Sequence, residues 1–153
     1  MIINVLASGA IFVASSVAQE EIQVNYRSLK EFIGEKFGLI TPIIQLERQP
    51  TEEKQKSLAK SLKYAIEVLP GTSQERENII NELLTKTKAL GESLEKVPQK
   101  EFDIVGIDLN NVKAVNVKIG NIISEGEARV IGIKAEDSEF TNIIAGNITA
   151  KKK

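Results

Sequence analysis

Up to Pro98 the apolar residues recur at helical spacing, as in Leu58, Leu62, Ala65, Ile66 and Leu69. Beyond Pro98 they alternate at period two, as in Val115, Val117 and Ile119, and as in Ile131, Ile133 and Ala135 set against Val130, Gly132 and Lys134. The two periods need different backbones, because side chains share a face every three or four residues in a helix and every second residue in a strand. The pattern predicts an α+β chain, with an N-terminal antiparallel helical bundle over residues 1–98 and a small C-terminal β-solenoid or β-meander over residues 99–153.

Within the first part, Ile22, Tyr26, Leu29, Ile33 and Phe37 fall on one stripe, with Lys30, Glu31, Glu35 and Lys36 outside it. Gly38 is a natural C-terminal stop, so one long helix from Ile2 to Phe37 with a bend near Gly9 fits the pattern. Thr41-Pro42 reads as an N-cap followed by proline at the first helical position, opening a short helix with Ile43, Ile44 and Leu46 that ends before Pro50. Thr51 caps the next helix, with Glu52 and Glu53 in its first turn, and Pro70-Gly71 breaks it after Leu69. Thr72 and Glu75 form a capping-box pair. They open a helix that buries Ile79, Ile80, Leu83, Leu84, Leu90 and Leu94, tolerates Gly91 and stops before Pro98.

The second part reads as short β-prone runs, Asp103–Ile107, Val112–Ile119, Ala128–Lys134 and Glu139–Ile144, separated by Gly, Asn, Asp and Ser. Gly-Asn-Ile occurs twice, at Gly120-Asn121-Ile122 and Gly146-Asn147-Ile148. These turns, with Val115, Val117 and Ile119, are the expected self-association residues, since stacked Ile, Val and Asn suit a self-templating edge. Val117-Lys118-Ile119-Gly120-Asn121 looks like the core of amyloid signalling motifs, which normally carry Gln where this chain has Lys118. An ordinary strand ending in a Gly-Asn turn accounts for the same residues.

Met1 to Gln19 carries no charged side chain. Three readings fit it: a buried helix of a soluble bundle, a membrane-active helix, and a cleaved signal ending at Ser16-Val17-Ala18. No Lys or Arg precedes the apolar run, which argues against the signal. Ala10, Ala14 and Ala18, spaced by four, make a small-residue stripe that lets helices approach closely in a bundle or in a membrane. Ile3, Leu6, Phe12 and Val13 complete this candidate membrane or helix-packing surface.

Composition narrows the chemistry more than it names it. The 153 residues are 42% hydrophobic and 27% charged, enough for a core and a solvated surface. The net charge of −1 is balanced in both parts, so no basic face for nucleic acid is expected. The absence of cysteine and histidine removes disulfides, thiolate nucleophiles, imidazole bases and nearly all zinc or haem sites, and no cofactor is expected. Asp137, Glu139 and Asn142 lack the spacing of a calcium loop. A Ser–Lys dyad can be drawn from Ser57, Lys60, Ser61 and Lys63, and no oxyanion-hole motif accompanies it. Lys151, Lys152 and Lys153 form a basic tail of the kind that is usually solvated.

The pattern Tyr26, Leu29, Lys30, Ile33, Lys36, Phe37, Gly38 resembles small helical proteins of multicellular bacteria related to the HeLo-like (Bell) cell-death domains. The resemblance covers residues 1–98. It implies that Ile2 to Ala18 acts on membranes, that Val112 to Thr149 controls self-association, and that no catalytic residues are carried over. The expected function is therefore a non-enzymatic, self-assembling protein of bacterial defence or programmed cell death. It is expected in the cytoplasm or on a membrane, with a second copy, membrane lipid or a signalling protein as partner. The alternative is a soluble interaction or scaffold module that forms a discrete homo-oligomer.

Overall fold

The structure is a computed structural model and describes residues 2–15, 19–98, 100 and 109–124. Six helices account for its described core: α1 (Ile2–Ser15), α2 (Glu20–Phe37), α3 (Ile40–Arg48), α4 (Glu52–Glu67), α5 (Ser73–Glu95) and α6 (Leu109–Ser124). Helix makes up 87% of the described residues and no strand occurs among them, so the fold class is mainly α.

Local chemistry sets most of the helix ends. Gly38 closes α2 with φ of 68°, the left-handed conformation that glycine adopts without a Cβ penalty. Thr51 accepts a hydrogen bond from the Lys54 backbone N–H at 3.2 Å. Thr72 and Glu75 form the full capping box, with each side chain accepting from the other's backbone N–H at 3.1 and 2.9 Å. One expected start shifts: α3 begins at Ile40, before Thr41-Pro42, so Pro42 lies inside the first turn. There its missing N–H costs nothing, since the first turn has no acceptor for it. The long Ile2–Phe37 helix is two helices, and Gly9 lies within the first.

α1 is the centre of the bundle and packs against each of the other five helices. Ile2, Ile3, Val5, Leu6, Ala7, Ser8, Gly9, Ala10 and Phe12 are all buried. A helix that is apolar around most of its circumference must be covered on every side, and its neighbours each contribute one stripe. On one side lie α2 and α5, the most extensively packed pair, with α6 against α5. Polar bonds stitch α2 to α5: Asn25 donates to the Ala89 carbonyl (3.3 Å) and to Ser93 Oγ (2.6 Å), and Lys86 donates to Ser28 Oγ (2.9 Å). On the other side α3 and α4 pack on α1, on each other and on α2, and meet α5 and α6 only marginally.

The β reading fails where it can be compared. Val112–Ile119 is part of α6, and its buried positions, Val112, Val115, Asn116 and Ile119, follow helical spacing. Val117, which a strand would place with Val115 and Ile119, is 63% exposed. The β-branched residues raise strand propensity, but tertiary packing of the i, i+3, i+4, i+7 stripe decides. α6 joins the core shared by the helices before Pro98. The runs Asp103–Ile107, Ala128–Lys134 and Glu139–Ile144, and the tail Lys151–Lys153, lie outside the described residues.

Gly91 is required where α5 meets α6. A β-carbon there would lie 2.0 Å from Asn116 Oδ1, while Asn116 Nδ2 donates to Glu95 on the same α5 face. Gly91→Ala must expel Asn116 and break that charge-assisted bond, which outweighs the gain in helix propensity of up to about 1 kcal/mol. Urea unfolding should show a net loss of about 1–3 kcal/mol. Adding Asn116→Ala to Gly91→Ala should return part of it.

Candidate functional site

The face of α1 that is not fully covered opens into a cleft of about 350 Å³ beside α2 and α3. Ala10, Val13 and Ala14 of α1 line one side, and Tyr26, Arg27 and Lys30 of α2 with Glu47 of α3 line the other. The small side chains on α1 come from the alanine stripe. Gly9, one residue away, brings α1 close to α2 and α5: a β-carbon there would stand 3.0 Å from the Tyr26 ring and 3.1 Å from Leu90.

A three-residue clasp closes one end of this cleft. Tyr26 Oη donates to Glu47 Oε2 at 2.5 Å, and Lys30 Nζ pairs with the same oxygen at 2.8 Å. Tyr26 and Lys30 are one turn apart on α2, so both reach the carboxylate that α3 presents. Burial, then the hydrogen bond to Glu47 and its negative charge, push the Tyr26 phenol well above its ordinary value. Burial alone would raise the Glu47 carboxyl, but the hydrogen bonds from Lys30 and Tyr26 and the Lys30 charge outweigh it, so its pKa is lowered.

These shifts bracket a pH window. The depressed Glu47 value means the clasp stabilises the fold above the unfolded carboxyl value of about 4.3 and loses that contribution as pH falls through the folded value. The raised Tyr26 value means a contribution present below the unfolded phenol value of about 10 and lost as pH climbs through the folded one. Wild type should exceed Glu47→Gln by about 1–2 kcal/mol near neutrality. The gap in urea midpoints should close in acid, and a gap unchanged by acid would show that Glu47 is not the group responsible.

Of the residues expected on the first helix, Ile3, Leu6, Ala10 and Phe12 are buried in the bundle, Val13 is half-buried and Ala14 is exposed. Ala18 lies outside the described residues. The expected self-association residues do not form a strand edge with a Gly-Asn turn, because the helix α6 runs through Val115, Val117, Ile119, Gly120, Asn121 and Ile122. Val115 and Ile119 are buried in this chain's own core, Gly120 is half-buried, and Val117 and Asn121 are exposed. Gly146, Asn147 and Ile148 lie outside the described residues.

Ser57 and Lys60 line an open trough of about 710 Å³ along α4 with Thr51, Glu52, Glu53 and Lys56. Both side chains are exposed and no hydrogen bond joins them, so the lysine has no buried setting to activate the serine. Among the described residues no group of three or more acidic side chains is placed to hold a metal ion. Asp137, Glu139 and Asn142 lie outside them. None of the described helices is long and apolar enough to cross a membrane. No protein-family model, curated protein or solved structure matches the chain.

Sequence reasoning missed the clasp. Tyr26 and Lys30 carry the i, i+4 spacing that puts them on one face, but Glu47 arrives from another helix, and nothing local marks it. Asn116 was legible only as part of a strand.

Proposed function

We propose that this chain is a non-enzymatic helical-bundle effector that acts on lipid membranes through α1, in a bacterial defence or programmed-cell-death role. The observation that carries the reading is the place of α1: an uncharged helix, apolar on most of its faces, held inside five others. A bundle that encloses such a helix keeps it out of water, and a lipid surface offers it an equally apolar environment once the enclosure opens. At 14 residues α1 measures about 21 Å, short of the ~30 Å hydrocarbon core. Its action is therefore insertion into one leaflet or assembly with other copies, with a cytoplasmic protein reaching the membrane surface. A second copy or a signalling protein is the partner class that goes with this reading, and the balanced charge speaks against nucleic acid.

Dye release from vesicles tests it. The wild-type protein should release dye, and Ala14→Asp should suppress release. Ala14 is exposed in the bundle, so the change leaves folding intact, while a carboxylate on a lipid-inserted helix costs up to about 2.5–3.5 kcal/mol. Release equal in both proteins, or none from the wild type, would sink the reading.

One observation favours a second reading, the soluble interaction module. Tyr64 and Val68, one turn apart at the end of α4, are 66% and 54% exposed. Light scattering showing a discrete oligomer, dispersed by Tyr64→Lys, with no lipid binding, would support that alternative.

A further inference from the structure

We propose that α3 and α4 form a lid that swings off α1 as one unit, hinged at Gly38 and Gly71 and latched by the Tyr26–Glu47–Lys30 clasp. The purpose of the lid rests on the membrane reading of α1; its existence does not.

The attachments of the two sides of the bundle differ in kind. α2 and α5 are joined by directional bonds from Asn25, Ser28 and Lys86, and by the Lys96–Glu21 ion pair at 3.2 Å. The polar bonds of α4 stay within its own segment: Thr51 to Lys54, Gln55 to the Pro50 carbonyl, and Lys56 to Glu52. Glu47 is the sole polar tie from α3 and α4 to the rest of the bundle among the described residues. Apart from Gln55, whose amide bonds back to the Pro50 carbonyl, the buried residues of α3 and α4, Ile43, Leu46, Leu58, Ala59, Leu62 and Ile66, are apolar. Apolar contact is non-directional, so it holds the lid down without fixing where it sits. The clasp supplies that register.

Both ends of the unit are built to turn. Gly38 joins α2 to α3 with φ of 68°, and Gly71 joins α4 to α5 with φ of 109°; these are the two positive-φ glycines among the described residues. Glycine crosses between the two halves of φ at little cost, so rotation at these points leaves both helices intact. Because α3 and α4 meet α5 and α6 only marginally, the swing breaks few contacts beyond those with α1 and α2. In water, opening re-exposes the apolar inner face and stays rare. At a lipid surface the same face and α1 are both solvated by acyl chains, which selects the open state.

The chain has no cysteine, so single thiols report each side. Ala59→Cys places one on the buried inner face of α4, and Thr87→Cys places one at a buried position of α5. With Glu47→Gln in the background, the first thiol should react with a maleimide about tenfold faster and the second at an unchanged rate. Lys30→Met, which leaves the Tyr26 bond to Glu47, should give the same asymmetry. Equal acceleration at both thiols, or at neither, would overturn the lid. Vesicles of equal parts phosphatidylcholine and phosphatidylglycerol separate the two proposals. A lid that opens by thiol reactivity beside vesicles that stay sealed leaves the lid standing and removes the membrane reading. Leakage with the Ala59→Cys thiol equally protected in all backgrounds removes the lid alone.

Discussion

Phe12→Asp is expected to leave the chain without a cooperative fold. Phe12 is fully buried on the central helix and, among the described residues, is the largest side chain with no exposure. Removing a buried phenylalanine costs about 3–5 kcal/mol before any charge is considered. The aspartate adds an ionised group, and the titratable side chains that α1 itself carries number none to pair with it. Protonation or opening of the bundle relieves its desolvation. The total approaches the whole stability of an ordinary domain, about 5–15 kcal/mol. Circular dichroism during urea titration should show a broad, non-cooperative decline, and a sharp transition near the wild-type midpoint would contradict the central placement of α1. Loss of membrane activity in this variant therefore says nothing about lipid. Ala14→Asp, on the exposed side of the same helix, is the variant that does.

Val115→Asp and Val117→Asp are expected to differ by several kcal/mol, although the two valines are two residues apart. Val115 is fully buried in α6 and Val117 faces solvent. The first change places a charge on the buried face of α6 and should cost about 3–5 kcal/mol. The second should fall within about 0.5 kcal/mol of wild type. A strand with one buried face would make the two substitutions equally harmful, so paired denaturation curves decide between the two backbones at this site.

What the sequence made legible follows from how local each determinant is. The Thr51 cap, the Thr72–Glu75 capping box and the Gly38 stop are each specified within four residues, and each is present. The α2, α4 and α5 stripes are long enough for periodicity to be unambiguous. In α6, Val115, Val117 and Ile119 supply period two and Val112, Val115 and Ile119 supply period three to four, so the same residues fit both templates. Asn116 then decides, since it is polar and buried only because α5 offers it Glu95 and the space at Gly91. That information lies on another helix. The clasp has the same character: Glu47 is one acidic residue among many until α3 folds back beside Tyr26 and Lys30. The small-residue stripe was visible, but whether Ala10 faces a protein or a lipid depends on neighbours that arrive later in the chain.

That dependence has a consequence for synthesis. α1 leaves the ribosome before every helix that covers it, and the last described one ends at Ser124. At about 5–20 residues per second, α1 waits roughly 5–20 s for its final neighbour. Throughout that interval an uncharged apolar segment is in contact with the surroundings of the nascent chain. Translation speed and nascent-chain chaperones are therefore expected to influence how much of the protein reaches the enclosed state. Slowing elongation after α5 should lower the soluble yield of the wild type, and supplying α6 ahead of α1 in a permuted chain should remove the sensitivity.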